Sequence, residues 1–230
     1  MSATALATMH PLPEPASQPD CAVHWFDLRT VPATPWKNGG GSTRELVSWP
    51  PGAGTQAFAW RVSVARIAAP GPFSAFPDVD RQIMLLDGDG VTLYGEQSEL
   101  CHTLQQRWQP WSFAGELPLD CCLIGGPSTD FNLMVRRGHW HGGMQVVRDA
   151  CTVGTTGAGL VMVLQGQWAV LGNGMAQLLQ PGQGLWWPAP IGPCVLQPLQ
   201  PLGPEAAHPH PFAPDARPAL VWVDVRSGDI

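Results

Sequence analysis

The stretch FAWRVSVARI, Phe58 to Ile67, alternates along its length. Trp60, Val62 and Val64 fall on one face of an extended chain, and Arg61, Ser63 and Ala65 fall on the other. DFNLMVRRG, Asp130 to Gly138, repeats the pattern, with Phe131, Leu133 and Val135 on one face and Asp130, Asn132 and Met134 on the other. Both read as strands with one apolar face and one face of hydrogen-bonding groups. Shorter runs predict further strands at His24 to Leu28, at Thr43 to Trp49 before Pro50 and Pro51, and at Ala219 to Arg226. Arg81 to Tyr94 reads as strand, D-G-D-G turn and strand, which predicts a hairpin.

That hairpin pattern recurs. IMLLDGDGVTLY (Ile83 to Tyr94) and LVMVLQGQWAVL (Leu160 to Leu171) share an apolar strand, a polar residue with glycine, and a second strand. Each is followed by an aromatic, proline-bearing segment, PWSFAGE at Pro110 or GLWWPAP at Gly184. The repeat predicts two small β-barrels packed together, with a junction near Arg137 to Thr155. Residues 1–20 are expected to form a disordered tail, 21–145 an N-terminal barrel and 146–230 a C-terminal barrel, intertwined as one compact unit. Pro70 to Pro77 and the Pro-, Ala- and His-rich stretch from Leu196 to Pro218 are expected loops.

Composition sharpens the fold class. With 26 glycines and 25 prolines in 230 residues, long helices are interrupted everywhere, so the chain is expected to be all-β with few short helices. Eleven tryptophans and seven phenylalanines supply large buried areas. The net charge of −6 with scattered arginines argues against nucleic acid as a partner. No apolar run approaches the roughly 18 residues of a membrane span, and the first residues carry neither a charged n-region nor an apolar h-region. A cytoplasmic protein with no membrane association is the expectation. Cys21, Cys101, Cys121, Cys122, Cys151 and Cys194 show no C-x-x-C spacing and read as buried free thiols, the adjacent Cys121 and Cys122 pointing to opposite faces.

TPWKNGGGSTREL (Thr34 to Leu46), WRVSVARI (Trp60 to Ile67), GPFSAFPDVDRQIMLLDGDG (Gly71 to Gly90) and DFNLMVRRG together resemble the HutD/Ves family of bacterial bicupins. The resemblance spans about residues 25 to 140 and thins beyond Gly143, where it rests on the second apolar–glycine–apolar stretch and LQPGQGLWWP. It implies a cupin-like double β-barrel and a regulatory or sensing role in histidine utilisation. Implied ligands are formylated or acidic intermediates such as N-formylglutamate, formate or urocanate. Cupins also pair through sheet edges, so a homodimer is admitted.

The usual cupin metal signature, H-x-H with a glutamate and a later histidine, is missing where FSAFPDVDR stands ahead of the D-G-D-G turn. The H-x-H of His139 and His141 falls beside Gly142 and Gly143 in an expected loop, and His208 and His210 fall in the proline-rich segment. No metal and no cofactor are therefore expected. No nucleophile elbow occurs either. Glu45, Asp80 and Asp130 are candidate acid/base carboxylates, and ordinary ion pairs would give the same residues.

Anion binding has fuller support. Lys37 is the only lysine of the chain, followed by Asn38 and three glycines whose N–H groups could serve as donors. An ammonium and an arginine fork together suit a small acid. The candidate ligand-binding set is Trp36, Lys37, Asn38, Glu45, Arg61, Ser63, Ser74, Phe76, Asp80, Arg81, Asp130, Asn132 and Met134, with Ser74 and Phe76 closing the mouth. Each has a plainer role beside it. Arg61 would pair with a neighbouring carboxylate, Asp80 with Arg81, and Glu45 with Lys37 or Arg44; Asn38 would cap the glycine turn, and Trp36 and Phe76 would be core. The resulting expectation is a bicupin whose partner is a small acidic metabolite. Its rivals are a metal-independent cupin enzyme using Glu45 or Asp80 as base, and an interaction module using the sheet faces or the aromatic pair Trp186 and Trp187.

Overall fold

A computed structural model describes residues 23–95, 100–199 and 217–228. Residues 1–22 and 200–216, with Cys21, His208 and His210, lie outside it; so do the expected tail and most of the expected proline-rich loop, though Leu196 to Leu199 belong to a strand. The first half runs β1 (His24–Asp27), β2 (Ala33–Pro35), β3 (Gly41–Trp49), helix α1 (Gly54–Ala57), β4 (Trp60–Ile67), β5 (Gly71–Phe73), β6 (Val79–Asp87), β7 (Val91–Tyr94), β8 (Cys101–Leu104), β9 (Trp111–Ala114), β10 (Leu119–Leu123) and β11 (Ser128–Arg136). The second runs β12 (Trp140–Val147), β13 (Cys151–Val153), β14 (Ala158–Gln165), β15 (Gln167–Gly172), β16 (Met175–Leu179), β17 (Gln183–Trp187), β18 (Cys194–Leu199) and β19 (Ala219–Ser227).

Four sheets stack in layers. A four-stranded sheet, β5-β10-β7-β8, packs on the six-stranded β2-β3-β4-β11-β6-β9 through Ile67, Ile83, Leu93, Leu119 and Cys121. The other face of the six-stranded sheet packs on β1-β17-β14-β19-β12 through Trp60, Val62, Phe131, Leu133, Leu160 and Val223. That sheet in turn packs on β13-β18-β15-β16 through Val161, Trp168, Leu185, Trp187 and Leu220. Each outer pair encloses a barrel-like lumen, and the two inner sheets lie back to back.

The faint sequence repeat has a topological counterpart. Adding eight to each strand number turns β4-β11-β6-β9 into β12-β19-β14-β17, and β5-β10-β7-β8 into β13-β18-β15-β16. Strand pairing also crosses residue 145, since β1 and β12 both lie in the sheet of C-terminal strands.

Neither predicted hairpin forms. β6 pairs with β11 and β9 while β7 pairs with β10 and β8, so the D-G-D-G segment is a corner between sheets, as is the turn from β14 to β15. Gly88 and Gly90 hold positive φ there, and a Cβ at Gly90 would meet the Leu104 carbonyl oxygen at 2.2 Å. The expected loop at His139 to Gly143 is likewise a strand from Trp140 onward, paired with β19. Trp187 is 1% exposed and fills the second lumen, and Trp186 stacks on His24 at 4.0 Å. A contact surface built on that aromatic pair is therefore ruled out for Trp187. Among the described cysteines none is disulfide-bonded; Cys121 is buried and Cys122 exposed on opposite faces, while Cys101 is exposed rather than buried.

Gly184 fastens β1 to the rest. A Cβ there would meet the Val161 carbonyl oxygen at 2.1 Å and the Phe26 ring at 2.5 Å, both backbone and ring being fixed by the β1–β17–β14 ladder. Gly184→Ala is expected to lower stability by about 1 to 3 kcal/mol in equilibrium urea unfolding, as overpacking against backbone does.

Candidate functional site

Sheet alternation delivers two arginines into the first lumen. β4 turns Arg61, Ser63 and Ala65 away from the apolar interface, β11 does the same with Asp130, Asn132 and Met134, and β6 contributes Arg81. A cavity of ≈ 530 Å³ opens among them.

Arg81 is 4% exposed and has no carboxylate partner among the described residues. Its Nη1 donates to the Ser74 carbonyl oxygen at 3.0 Å and its Nη2 to Asn132 Oδ1 at 3.1 Å, while Nε has no partner. The guanidinium carbon lies 4.5 Å from the Phe73 ring centre, 4.9 Å from Phe113 and 5.3 Å from Phe76. The rings hold the planar cation by its faces and leave its edge for hydrogen bonds. Burial, and then the Arg61 charge, push the guanidinium down to about 9, so it remains a cation at neutral pH.

Arg61 is also buried, but it has a carboxylate. Its Nε donates to Glu45 Oε2 at 2.7 Å, and Nη1 reaches Ser63 Oγ at 3.4 Å and Met134 Sδ at 3.9 Å. Glu45 therefore holds Arg61, not Lys37 or Arg44; Arg44 donates instead to the Val31 carbonyl oxygen.

The structure brings together Trp36, Lys37, Asn38, Arg61, Ser63, Ser74, Phe76, Arg81, Asn132 and Met134 around this one cavity. Lys37 sits exposed on its rim rather than aimed into the barrel. The glycine run does not offer its N–H groups to a ligand in the way expected. Gly39 N donates to the Trp36 carbonyl oxygen at 3.0 Å and Gly40 N to Asn38 Oδ1 at 3.0 Å, so Asn38 is the cap of this turn. Gly41 is required by space, since a Cβ would meet the Arg66 carbonyl oxygen at 2.2 Å and the Trp36 ring at 3.0 Å. Trp36, half-buried, donates from Nε1 to Thr43 Oγ1 at 2.8 Å.

Three candidates are not on the cavity wall. Glu45 is half-exposed behind Arg61. Asp80 points the opposite way from Arg81, as strand neighbours must, and pairs with Arg137 at 2.9 Å on the surface, where Glu116 joins it. Neither carboxylate is placed to act as a base in the cavity. Asp130 is fully buried below the floor, and neither of its oxygens has a hydrogen-bond partner. Phe73, Thr43, Thr55, Ala65, Pro35 and Pro72 also line the cavity and were not selected from sequence. Ala65 shared a predicted face with Arg61, and Phe73 stands beside Ser74, so a signal was present for those two.

Among the described residues no three His, Cys, Asp or Glu side chains gather where a metal ion would be held. His139 lies in a turn and His141 in β12, so the pair does not share a strand face. No helix among the described residues is long and apolar enough to cross a membrane.

Two barrel-like sandwiches of one strand order, with the polar residues in one of them, define a bicupin. The HutD family model matches residues 28–198, and the chain belongs to that family. Protein Ves of Cronobacter sakazakii is 42% identical over 166 residues, covering 72% of this chain and 87% of Ves. HutD from Pseudomonas fluorescens SBW25, solved in a formate condition, superposes with a TM-score of 0.72 at 26% identity, covering 90% of this chain and all of that one. Oxalate decarboxylase of Bacillus subtilis shares the fold alone, with a TM-score of 0.57 at 8% identity over 96% of this chain and 81% of that one.

Burial pushes the Asp130 carboxyl up to about 7. The unfolded chain releases that proton near pH 4 and the folded chain near pH 7, so this contribution to stability is present below about pH 4 and is lost as pH rises to about 7. Wild type should lose up to about 4 kcal/mol relative to Asp130→Asn over that interval, read from urea unfolding of both proteins at each pH.

Proposed function

We propose that this protein binds a small acidic metabolite in the lumen of its first barrel and acts as a sensor that regulates histidine utilisation. One observation carries the reading: Arg81 is a buried cation with no carboxylate of its own, a second guanidinium stands beside it, and a cavity opens onto both. A buried charge left unpaired is costly, and an incoming carboxylate removes that cost. The aromatic and methionine walls suit a ligand with a small apolar body, and Lys37 on the rim suits a second negative group. The histidine-utilisation role that the resemblance to the HutD/Ves family implies makes formylated or unsaturated acids of that pathway the candidates, and the formate condition of the Pseudomonas fluorescens HutD structure makes formate the first of them to try.

Calorimetric titration with N-formylglutamate, urocanate, glutamate and formate tests the reading. At least one is expected to bind without being turned over, and silence from all four overturns it. Arg81→Gln should weaken the bound acid by about ten- to a hundredfold, as loss of a charge-assisted hydrogen bond does. Lys37→Ala on the exposed rim should cost only a few-fold.

A further inference from the structure

We propose that Asp130 couples occupancy of the arginine pocket to proton uptake: ionisation of this buried acid opposes an anion at Arg81 and Arg61, so the site binds more tightly as pH falls. This rests on the anion-binding reading and adds a regulatory property to it. The placement comes from β11, whose lumen face carries Ser128, Asp130, Asn132 and Met134 in a column. Successive members are about 7 Å apart along a strand. Asn132 and Met134 line the cavity and Asn132 accepts from Arg81, so Asp130 is the next side chain below the floor. It lies opposite Ala65 of β4, which also lines the cavity, and Leu85 of β6.

A carboxyl with no exposure and no partner for either oxygen stays protonated until the cost of burying its charge is met. Arg81 does not relieve it, because Ser74 and Asn132 pin that guanidinium toward the mouth between three phenylalanine rings. Of the other ionisable groups on the packed elements, Arg66 of β4, Asp80 and Asp87 of β6 and Cys122 of β10 are exposed, and Asp120 of β10 is half-buried on the same outward-facing side as Cys122. Arg61 of β4 is tied to Glu45, and Cys121 of β10 is pushed up to about 12 by burial and by Asp130, so it remains a thiol. His102 of β8 stacks on Trp111, which stacks on Phe113, and burial lowers its affinity for a proton. Once ionised, Asp130 is a negative charge one side-chain repeat, about 7 Å along β11, below the cavity-lining Asn132, and across that low-dielectric separation it and a bound anion disfavour each other. By linkage, the anion that is repelled by ionised Asp130 also raises the acid's affinity for its proton.

The probe is formate, titrated calorimetrically from about pH 6 to about pH 8 into wild type and Asp130→Asn, in two buffers of different ionisation heat. Wild-type affinity should fall about tenfold across that range with net proton uptake on binding, and the variant should be flat. NMR of carboxyl-labelled aspartate in wild type follows Asp130 directly and does not depend on the variant folding; formate should raise its midpoint. Binding with no pH slope, an equal slope in Asp130→Asn, or an unmoved Asp130 midpoint overturns the coupling and leaves the pocket standing. No binding of formate at any pH, nor of the other three acids, overturns both.

Discussion

The six-stranded sheet is buried on both faces, and the rest of the structure follows from that constraint. Sheets with one wet face can put polar side chains into solvent; β4 and β11 cannot, since one face meets the second barrel and the other faces a lumen. Trp60, Val62, Phe131 and Leu133 satisfy the first face by packing. The polar residues of the second face must find partners inside, from water-excluding surroundings. Arg61 finds Glu45 at the sheet's edge, and Ser63 and Asn132 find the two guanidinium groups. What the constraint leaves over is chemically informative: a cation without an anion, and an acid without a donor.

Arg81 and Asp130 occupy the same lumen and would relieve each other as an ion pair, yet they are held apart. Asn132 lies between them on β11 and takes one arm of Arg81, while the Ser74 carbonyl takes the other. A fold selected for stability alone would close this gap or replace both groups with apolar ones. Local rules broken together at one place are what a functional or strained site shows.

Much of this was legible in the chain because strand alternation is a strong signal. WRVSVARI and DFNLMVRRG assigned the faces of β4 and β11, and ten of the thirteen candidate residues meet around one cavity. The same alternation, applied to Asp80 and Arg81, already excludes an ion pair between strand neighbours, and the structure sends Asp80 to Arg137. The sheet corners were not legible. An apolar run, a glycine turn and another apolar run look alike whether the two runs pair or part, and the choice at Gly88 and Gly90 is made by the distant backbone of Pro127 and Leu104. Gly142 and Gly143 suggested a loop for a related reason. In β12, a Cβ at Gly142 would touch Val135 at 3.0 Å, so the glycine records a close approach of β11 and β12 rather than a break in the strand. The glycines after Lys37 make a tight capped turn against Trp36 and β4, so their N–H groups are spent within the turn rather than left for a ligand.

The two barrels share a strand order and differ in what fills them. In the second, the strands that correspond to β6 and β11 are β14 and β19, and they turn Val161, Val163, Leu220 and Trp222 inward. Trp168, Trp187, Leu185 and Leu196 complete an apolar core, and among the described residues no fully buried charged side chain lies in it. In the first, by register, Asp130 and Asn132 take the places of Leu220 and Trp222, and Arg81 takes the place of Gly159. Equal backbones with unequal lumens place the chemistry in side-chain choice and not in the fold. The solid barrel still has a part in the open one: its inner sheet covers the apolar faces of β4 and β11, fixing which way those strands present their alternate residues. A one-residue slip in either strand would turn Arg61 or Asn132 into the apolar interface, a cost that packing against Leu160, Met162 and Val223 makes prohibitive. The second barrel thus holds the register on which the arginine pocket depends.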